Sequence, residues 1–197
     1  MGETPLSKML AAPEVRPDAL TAFRVARRAF LAGRRLEMQE LAAELGVSRA
    51  TVFRWVGGRD ALLAEVVWST AEPTLRRAVA AAGSLTGAAR LVEISSEFAA
   101  MTIASSAFMG FVQREPERAL RLLTTRASTF QTRIVAAYEE LVHEEVDAGR
   151  LVVPMPVHDL AYLIVRISET FVYADVIAGE TPDPERVRQA LTALLRA

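Results

Sequence analysis

The tripeptide Gly46-Val47-Ser48 constrains this chain more than any other feature, because it joins two short runs of helical periodicity that must then pack across each other. Met38, Leu41 and Leu45 share one side of the first run, and Val52 and Val56 share one side of the second. Apolar residues three and four apart lie on one helix face, so each run has a stripe to bury. Gly46 supplies the left-handed conformation that residues with a Cβ resist. Ser48 is placed to cap the second helix by accepting a hydrogen bond from its first turn. The segment MQELAAELGVSRATVFRWVGGRDALL (38–63) therefore reads as a helix-turn-helix whose second helix carries Arg49 and Arg54. A helix of this kind enters a DNA major groove, so sequence-specific binding of double-stranded DNA is the first functional expectation.

Charge supports that expectation. The net charge of −1 conceals a split: residues 16–59 carry nine arginines against four carboxylates, and residues 60–197 carry thirteen arginines against eighteen carboxylates. A basic segment of net +5 joined to an acidic remainder of −5 suits a small DNA-facing module on a body that DNA avoids. The chain has no cysteine, so disulfide and thiolate chemistry are excluded. No apolar run approaches the ~20 residues of a membrane span, and the N-terminus has no signal-peptide pattern, so a cytoplasmic protein is expected, with no membrane partner.

Helical spacing and its breakers organise the rest. Residues 1–16, with Gly2, Pro5 and Pro13, are expected to form a mobile arm. Helices are expected over 17–32, 60–82, 87–104, 107–114, 116–124, 127–148, 157–178 and 183–196, bounded by glycines, prolines and the Ser105-Ser106 pair. In the first of them Leu20, Phe23, Ala26, Arg27 and Phe30 keep a beat of three and four. Pro73 should kink the 60–82 helix, since proline removes a backbone donor and crowds the preceding turn. The fold class is all-α: a three-helix helix-turn-helix domain over 17–62, then a helical ligand-binding and dimerisation domain over 63–197.

With these elements in place, the region from Ala22 to Leu63 resembles the TetR family of bacterial transcriptional regulators. The resemblance rests on Phe30 and Gly33 closing the first helix, the Leu41-Ala42 pair, the Gly46-Val47-Ser48 turn, the Thr51-Val52-Phe53 run, and Arg59-Asp60 followed by Leu62. Two positions depart from the family pattern. Phe53 stands where a tyrosine hydroxyl commonly bonds a phosphate, and Trp55-Val56 stands where histidine and phenylalanine are frequent. Trp55 either reaches a phosphate oxygen with its indole N–H or packs on the first helix.

Arginine bonds guanine O6 and N7 together, so Arg49 and Arg54, with Ala50 between them, are the expected base-facing residues. Ser48, Thr51 and Arg59 are expected on phosphates, with Arg27, Arg34 or Arg35 from the first helix and its link; Phe53 and Trp55 complete the surface. For the body, the resemblance implies a small-molecule effector in a cavity between helices, largely apolar with a polar head. Trp68, Phe98, Met101, Phe108, Phe111, Phe130, Tyr138, Phe171 and Tyr173 are candidate walls. Tyr162, Arg166, Glu169 and Tyr173 are spaced 4, 3 and 4 and form a polar stripe that faces either the cavity or a dimer interface. The resemblance also implies a homodimer through the last two helices, with Leu160, Ile164, Ile167, Leu191, Leu194 and Leu195 as apolar candidates. Arg114 to Thr125, REPERALRLLTT, is similar to the same stretch of regulators linked to quorum-signal lactone degradation, which implies an acyl-chain or lactone effector.

An enzyme is not expected. His143 and His158 lie on separate helices without metal-ligand spacing, and P-loop, dinucleotide and nucleophile-elbow patterns are missing, so no cofactor or metal is assigned. Two alternatives remain beside a ligand-released repressor: a DNA-binding protein without a small-molecule ligand, and a helical ligand or lipid carrier that has lost DNA binding.

Overall fold

The computed structural model describes residues 16–195, which form eleven helices and no strand. The expected N-terminal arm lies outside the described residues except for Arg16. Helix α1 (Ala19–Leu31) starts after Asp18, whose carboxylate accepts from the Thr21 amide at 2.7 Å. Helices α2 (Met38–Glu44) and α3 (Arg49–Val56) are the two arms of the helix-turn-helix. Gly46 bridges them at φ +64°, and Ser48 caps α3 by accepting from the Thr51 amide at 3.1 Å. Gly57, at φ +71°, closes α3 in the left-handed conformation.

The body consists of α4 (Arg59–Ala81), α5 (Gly87–Ile103), α6 (Ser106–Arg114), α7 (Pro116–Thr124), α8 (Phe130–Asp147), α9 (Val157–Val172), α10 (Ala174–Ala178) and α11 (Pro184–Leu195). Helix α5 is flanked by α4 and α11, and α9 lies along α8. One apolar core runs from Phe30 and Val52 in the small module through Leu63, Val67 and Leu91 to Ile164 and Leu191. Helix α4 crosses from module to body without a break, and it continues through Pro73 as a single helix. None of these helices is long and apolar enough to cross a membrane.

Several elements differ from expectation, each for a local reason. The buried stripe of α1 is Ala22, Val25, Ala26, Ala29 and Phe30, whereas Leu20 is 51% exposed and Phe23 is half-buried. Small residues on that face let α1 approach α4 closely. The helix expected from 127 starts at Phe130, because Thr125 and Ser128 take over the backbone: the Ala127 amide bonds Thr125 Oγ1 and the Phe130 amide bonds Ser128 Oγ, both at 3.1 Å. The single helix expected over 157–178 divides at Tyr173, which leaves helical geometry at φ −104°, ψ 20°. Its ring is buried and stacks on Phe108 with centroids 6.2 Å apart, and that packing fixes the bend.

A buried carboxylate staples the far end of the body. Glu145 has no exposed surface; it accepts from the Gly87 amide at 2.6 Å, from Arg90 at 2.5 Å and from Arg150 at 2.7 Å. Its carboxyl is held down to about 2, first by Arg150, with the Gly87 amide and Arg90 adding to it against the cost of burial. The stability this group contributes is therefore present above its unfolded value near 4.5 and is lost as pH falls through about 2. Glu145→Gln should lower neutral-pH stability by about 3 kcal/mol and flatten the acid limb of the stability curve, measured by urea unfolding from pH 2 to pH 7.

Candidate nucleic-acid interface and interior cavity

Helix α3 is exposed on one side by the way it packs on the other. Val52 is fully buried while Val47 and Val56 are half-buried, which turns Arg49, Ala50, Phe53 and Arg54 to solvent. Thr51 is half-buried, and its hydroxyl lies 2.9 Å from Ser48 Oγ at the positive end of the helix. Arg34 and Arg35 are exposed in the link after α1, where Arg35 pairs with Glu37 at 2.8 Å. Two guanidiniums on a short, capped, solvated helix have the size and donor geometry for guanine in a major groove about 12 Å wide.

Three residues of the expected DNA surface are placed elsewhere. Arg27 turns to α4 and donates from Nε to Ser69 Oγ at 3.0 Å. Trp55 is half-buried and lines a groove with Leu20 and Phe23 of α1. Arg59 is committed to the body: its Nη1 and Nη2 each donate to Glu115 at 2.6 Å, and its Nε donates to the Leu36 carbonyl. Phe53 is 55% exposed and leans over Gly58, where a Cβ would stand 3.2 Å from the ring.

The interior cavity has a volume of about 70 Å³ and lies between α4, α5, α6, α8 and α9. Of the expected walls, Phe98, Met101, Phe108, Phe130, Tyr138, Glu169 and Tyr173 line it. Trp68 stands behind Phe130, edge to face at 6.1 Å, and beneath Arg133. Phe111 leaves the cavity for Phe30 of α1, 5.9 Å away. Phe171 lies under Arg186 at 4.7 Å, and Tyr162 is 46% exposed. Sequence spacing missed Thr70, Thr74, Thr102, Ser105 and Ser168, which line the cavity with hydroxyls, because such residues look alike in a core and on a surface.

The polar stripe of α9 thus divides. Tyr162 goes to solvent, whereas Glu169 and Tyr173 face the cavity. Arg166 stands outside the cavity wall and donates to Glu169 Oε2 at 2.6 Å and to the Thr124 carbonyl at 3.1 Å. Gln131, buried on α8, has its amide end beside Glu169 Oε1 and the Leu123 carbonyl; both are acceptors, so the amide orientation that satisfies them places its nitrogen there, 2.9 Å from Glu169 Oε1. Burial pushes the Glu169 carboxyl up to about 7 against the pull of Arg166.

Cavity and DNA-facing module are joined by α6. Its N-terminal end, Ser105 and Phe108, forms cavity wall; Phe111 reaches α1, and Glu115 just past its last turn holds Arg59 at the start of α4. Beside that pair, Asp60 is bonded by Arg118 at 2.6 Å and by Arg121, both from α7. The side chains of Arg59 and Glu115 are each only 12% exposed, and the guanidinium holds the Glu115 carboxyl below its usual range.

The expected dimer residues also divide. Leu160, Ile164 and Leu191 are buried inside the protomer and are not available to a partner. Ile167, Leu194 and Leu195 are half-buried on the outer side of α9 and α11, where Leu163 and Phe171 continue the α9 stripe at intervals of four.

Residues 86–196 match a protein-family model described as "Tetracyclin repressor-like, C-terminal domain". Among solved structures, the chain is similar to the R. erythropolis transcriptional repressor QsdR from the TetR family. The identity is 28% and the TM-score 0.82, over 91% of this chain and 94% of that one. No curated protein matches the chain in sequence.

Two outcomes follow from this geometry. Glu115→Ala leaves the Arg59 guanidinium without its partner and should destabilise the fold by about 3 kcal/mol in urea unfolding. Glu169 has a folded value raised above 4.5, so its contribution is complete below that pH and is lost as pH rises through about 7. Thermal melts should therefore show stability falling from pH 5 to pH 8, and Glu169→Gln should remove that slope.

Proposed function

The chain belongs to the TetR family of transcriptional regulators, and from that premise we propose that it acts as a cytoplasmic, homodimeric repressor released from a palindromic operator by a small effector. The observation that carries this reading is α6, one helix with an end in the cavity wall and an end on the DNA-facing module. Arg49 and Arg54 read guanines from the exposed side of α3, Ala50 packs against a base edge, and Ser48, Thr51, Arg34 and Arg35 hold phosphates. Arg59 and Arg27 have no such role. The outer stripe Leu163, Ile167 and Phe171, with Leu194 and Leu195, forms the two-fold interface that sets two α3 helices about one DNA turn apart.

An effector bound in this cavity presses on Phe108, which belongs to the helix that also anchors Phe111 and Glu115. Coupling of about 1–3 kcal/mol between the two sites is enough for regulation. A regulator without a ligand needs no cavity with hydroxyls and a carboxylate in its wall, which disfavours that alternative. The stretch Arg114 to Thr125 puts none of its side chains in the cavity wall. Its Glu115, Arg118 and Arg121 serve the ion pairs at α4. Its likeness to lactone-linked regulators therefore bears on the coupling, and the acyl-chain or lactone effector has to be judged from the cavity itself.

Selection of bound duplexes from a random pool tests the operator reading. A palindromic consensus is expected, and Arg54→Ala should relax one guanine position at a cost of about 1–3 kcal/mol. Arg34→Ala should weaken all sequences alike and reduce the salt slope by about 1. Lack of enrichment by the folded protein contradicts the repressor and favours the carrier.

A further inference from the structure

Phe53 is the apolar exception on the DNA-facing side of α3. Of the eight phenylalanines, seven are buried or half-buried and Phe53 alone is exposed, at 55%. A lone exposed apolar side chain is ordinary on a protein surface. The surroundings of this one are not. Arg49 and Ala50 stand one turn before it on α3 and Arg54 follows it; all three are exposed, and the helix contains no acidic residue. The ring therefore shares the face whose charge suits a nucleic-acid duplex.

The inner side of the ring is held by backbone. Gly58 is buried against it at φ +111°, and a Cβ at that position would lie 3.2 Å from Cε2 and 3.4 Å from Cζ. Glycine at 58 lets the ring settle on the chain just past α3, which sets its direction before any partner arrives. A side chain held in this way loses little freedom on binding. The outer side of the ring is left in water. Phenylalanine has no hydrogen-bond donor or acceptor, so phosphates and the polar base edges offer that surface nothing. In a major groove the apolar group on display is the C5-methyl of thymine, where cytosine carries only hydrogen.

From this arrangement we infer that Phe53 is a specificity-determining residue that reads the C5-methyl group of a thymine in each operator half-site, beside the guanines met by Arg49 and Arg54. The arginines choose guanine through hydrogen bonds, and the ring chooses thymine over cytosine through apolar contact alone. This role rests on α3 entering a major groove, as the repressor reading has it, and adds to that reading a base that neither arginine selects.

Operators built from the selected consensus test the two levels separately. Each thymine in turn, in both half-sites, is replaced by deoxyuridine, which deletes the methyl and leaves every hydrogen-bonding group in place. Affinity for the full chain is measured by fluorescence anisotropy. At one thymine position the unsubstituted protein should lose about fourfold in affinity for each methyl removed. Phe53→Ala should bind the thymine operator more weakly and show no difference between thymine and deoxyuridine there, whereas Phe53→Tyr, which keeps the ring, should keep the difference. A cytosine–guanine pair at that position should weaken binding, and 5-methylcytosine should recover about fourfold of the loss for each methyl restored. Indifference of the unsubstituted protein to deoxyuridine at every position overturns the inference. A methyl effect that survives intact in Phe53→Ala overturns it too, since Ala50 would then be the reader. A folded protein that selects no consensus overturns the entry of α3 into the groove, and this role with it.

Discussion

The structure depends on the double hydrogen bond between Arg59 and Glu115. It is the point where the start of the longest helix, the end of α6 and the start of α7 meet, and it lies in the joint between module and body. With each side chain only 12% exposed, losing Glu115 leaves the Arg59 guanidinium with the Leu36 carbonyl alone. Arg35 reaches the same carboxylate at 3.7 Å, and Arg118 reaches it at 3.2 Å while also bonding Asp60. The network ties α7 to α4 as well as to α6. An ion pair of this kind contributes little net stability over an apolar substitute, but it fixes one geometry and is sensitive to small displacements. That combination suits the coupling role proposed for this joint.

The cavity is the complementary weak point. A well-packed helical body has no need for a carboxyl pushed up to about 7, and this one lies in the wall of a small space lined with hydroxyl residues. Elsewhere the same body handles buried charge fully: Glu145 has three partners and is held at the opposite extreme, near 2. The contrast separates a staple from a site. Both are buried carboxylates on helices; at Glu145 the donors outweigh burial, and at Glu169 burial outweighs its arginine.

How much of this the sequence carried depends on the distance over which each feature is decided. The helix-turn-helix was legible because caps, glycines and apolar spacing act within a few residues: Ser48 caps α3 and Gly46 turns left-handed as expected. Arg59 was misplaced because its partner lies 56 residues away, and nothing near Arg59 distinguishes an arginine for a phosphate from one for a carboxylate. Arg27 is the same case, with Ser69 as the distant partner. In the body, Phe108 and Phe111 are one turn apart on α6, yet one faces the cavity and the other faces α1. Composition cannot separate them; only the position of α6 between two neighbours does. Leu160 and Ile164 show the same limit, since an apolar face reads alike whether it meets its own core or a partner.

The central claim is that cavity and DNA-facing module are coupled through α6 and the Arg59–Glu115 pair. A double-mutant cycle in operator affinity tests it directly, combining Thr102→Leu, which fills the cavity as an effector would, with Glu115→Gln, which opens the joint. The account predicts that Thr102→Leu weakens operator binding at least about fivefold when Glu115 is present and has little further effect when it is absent. Equal effects of Thr102→Leu in both backgrounds would contradict it.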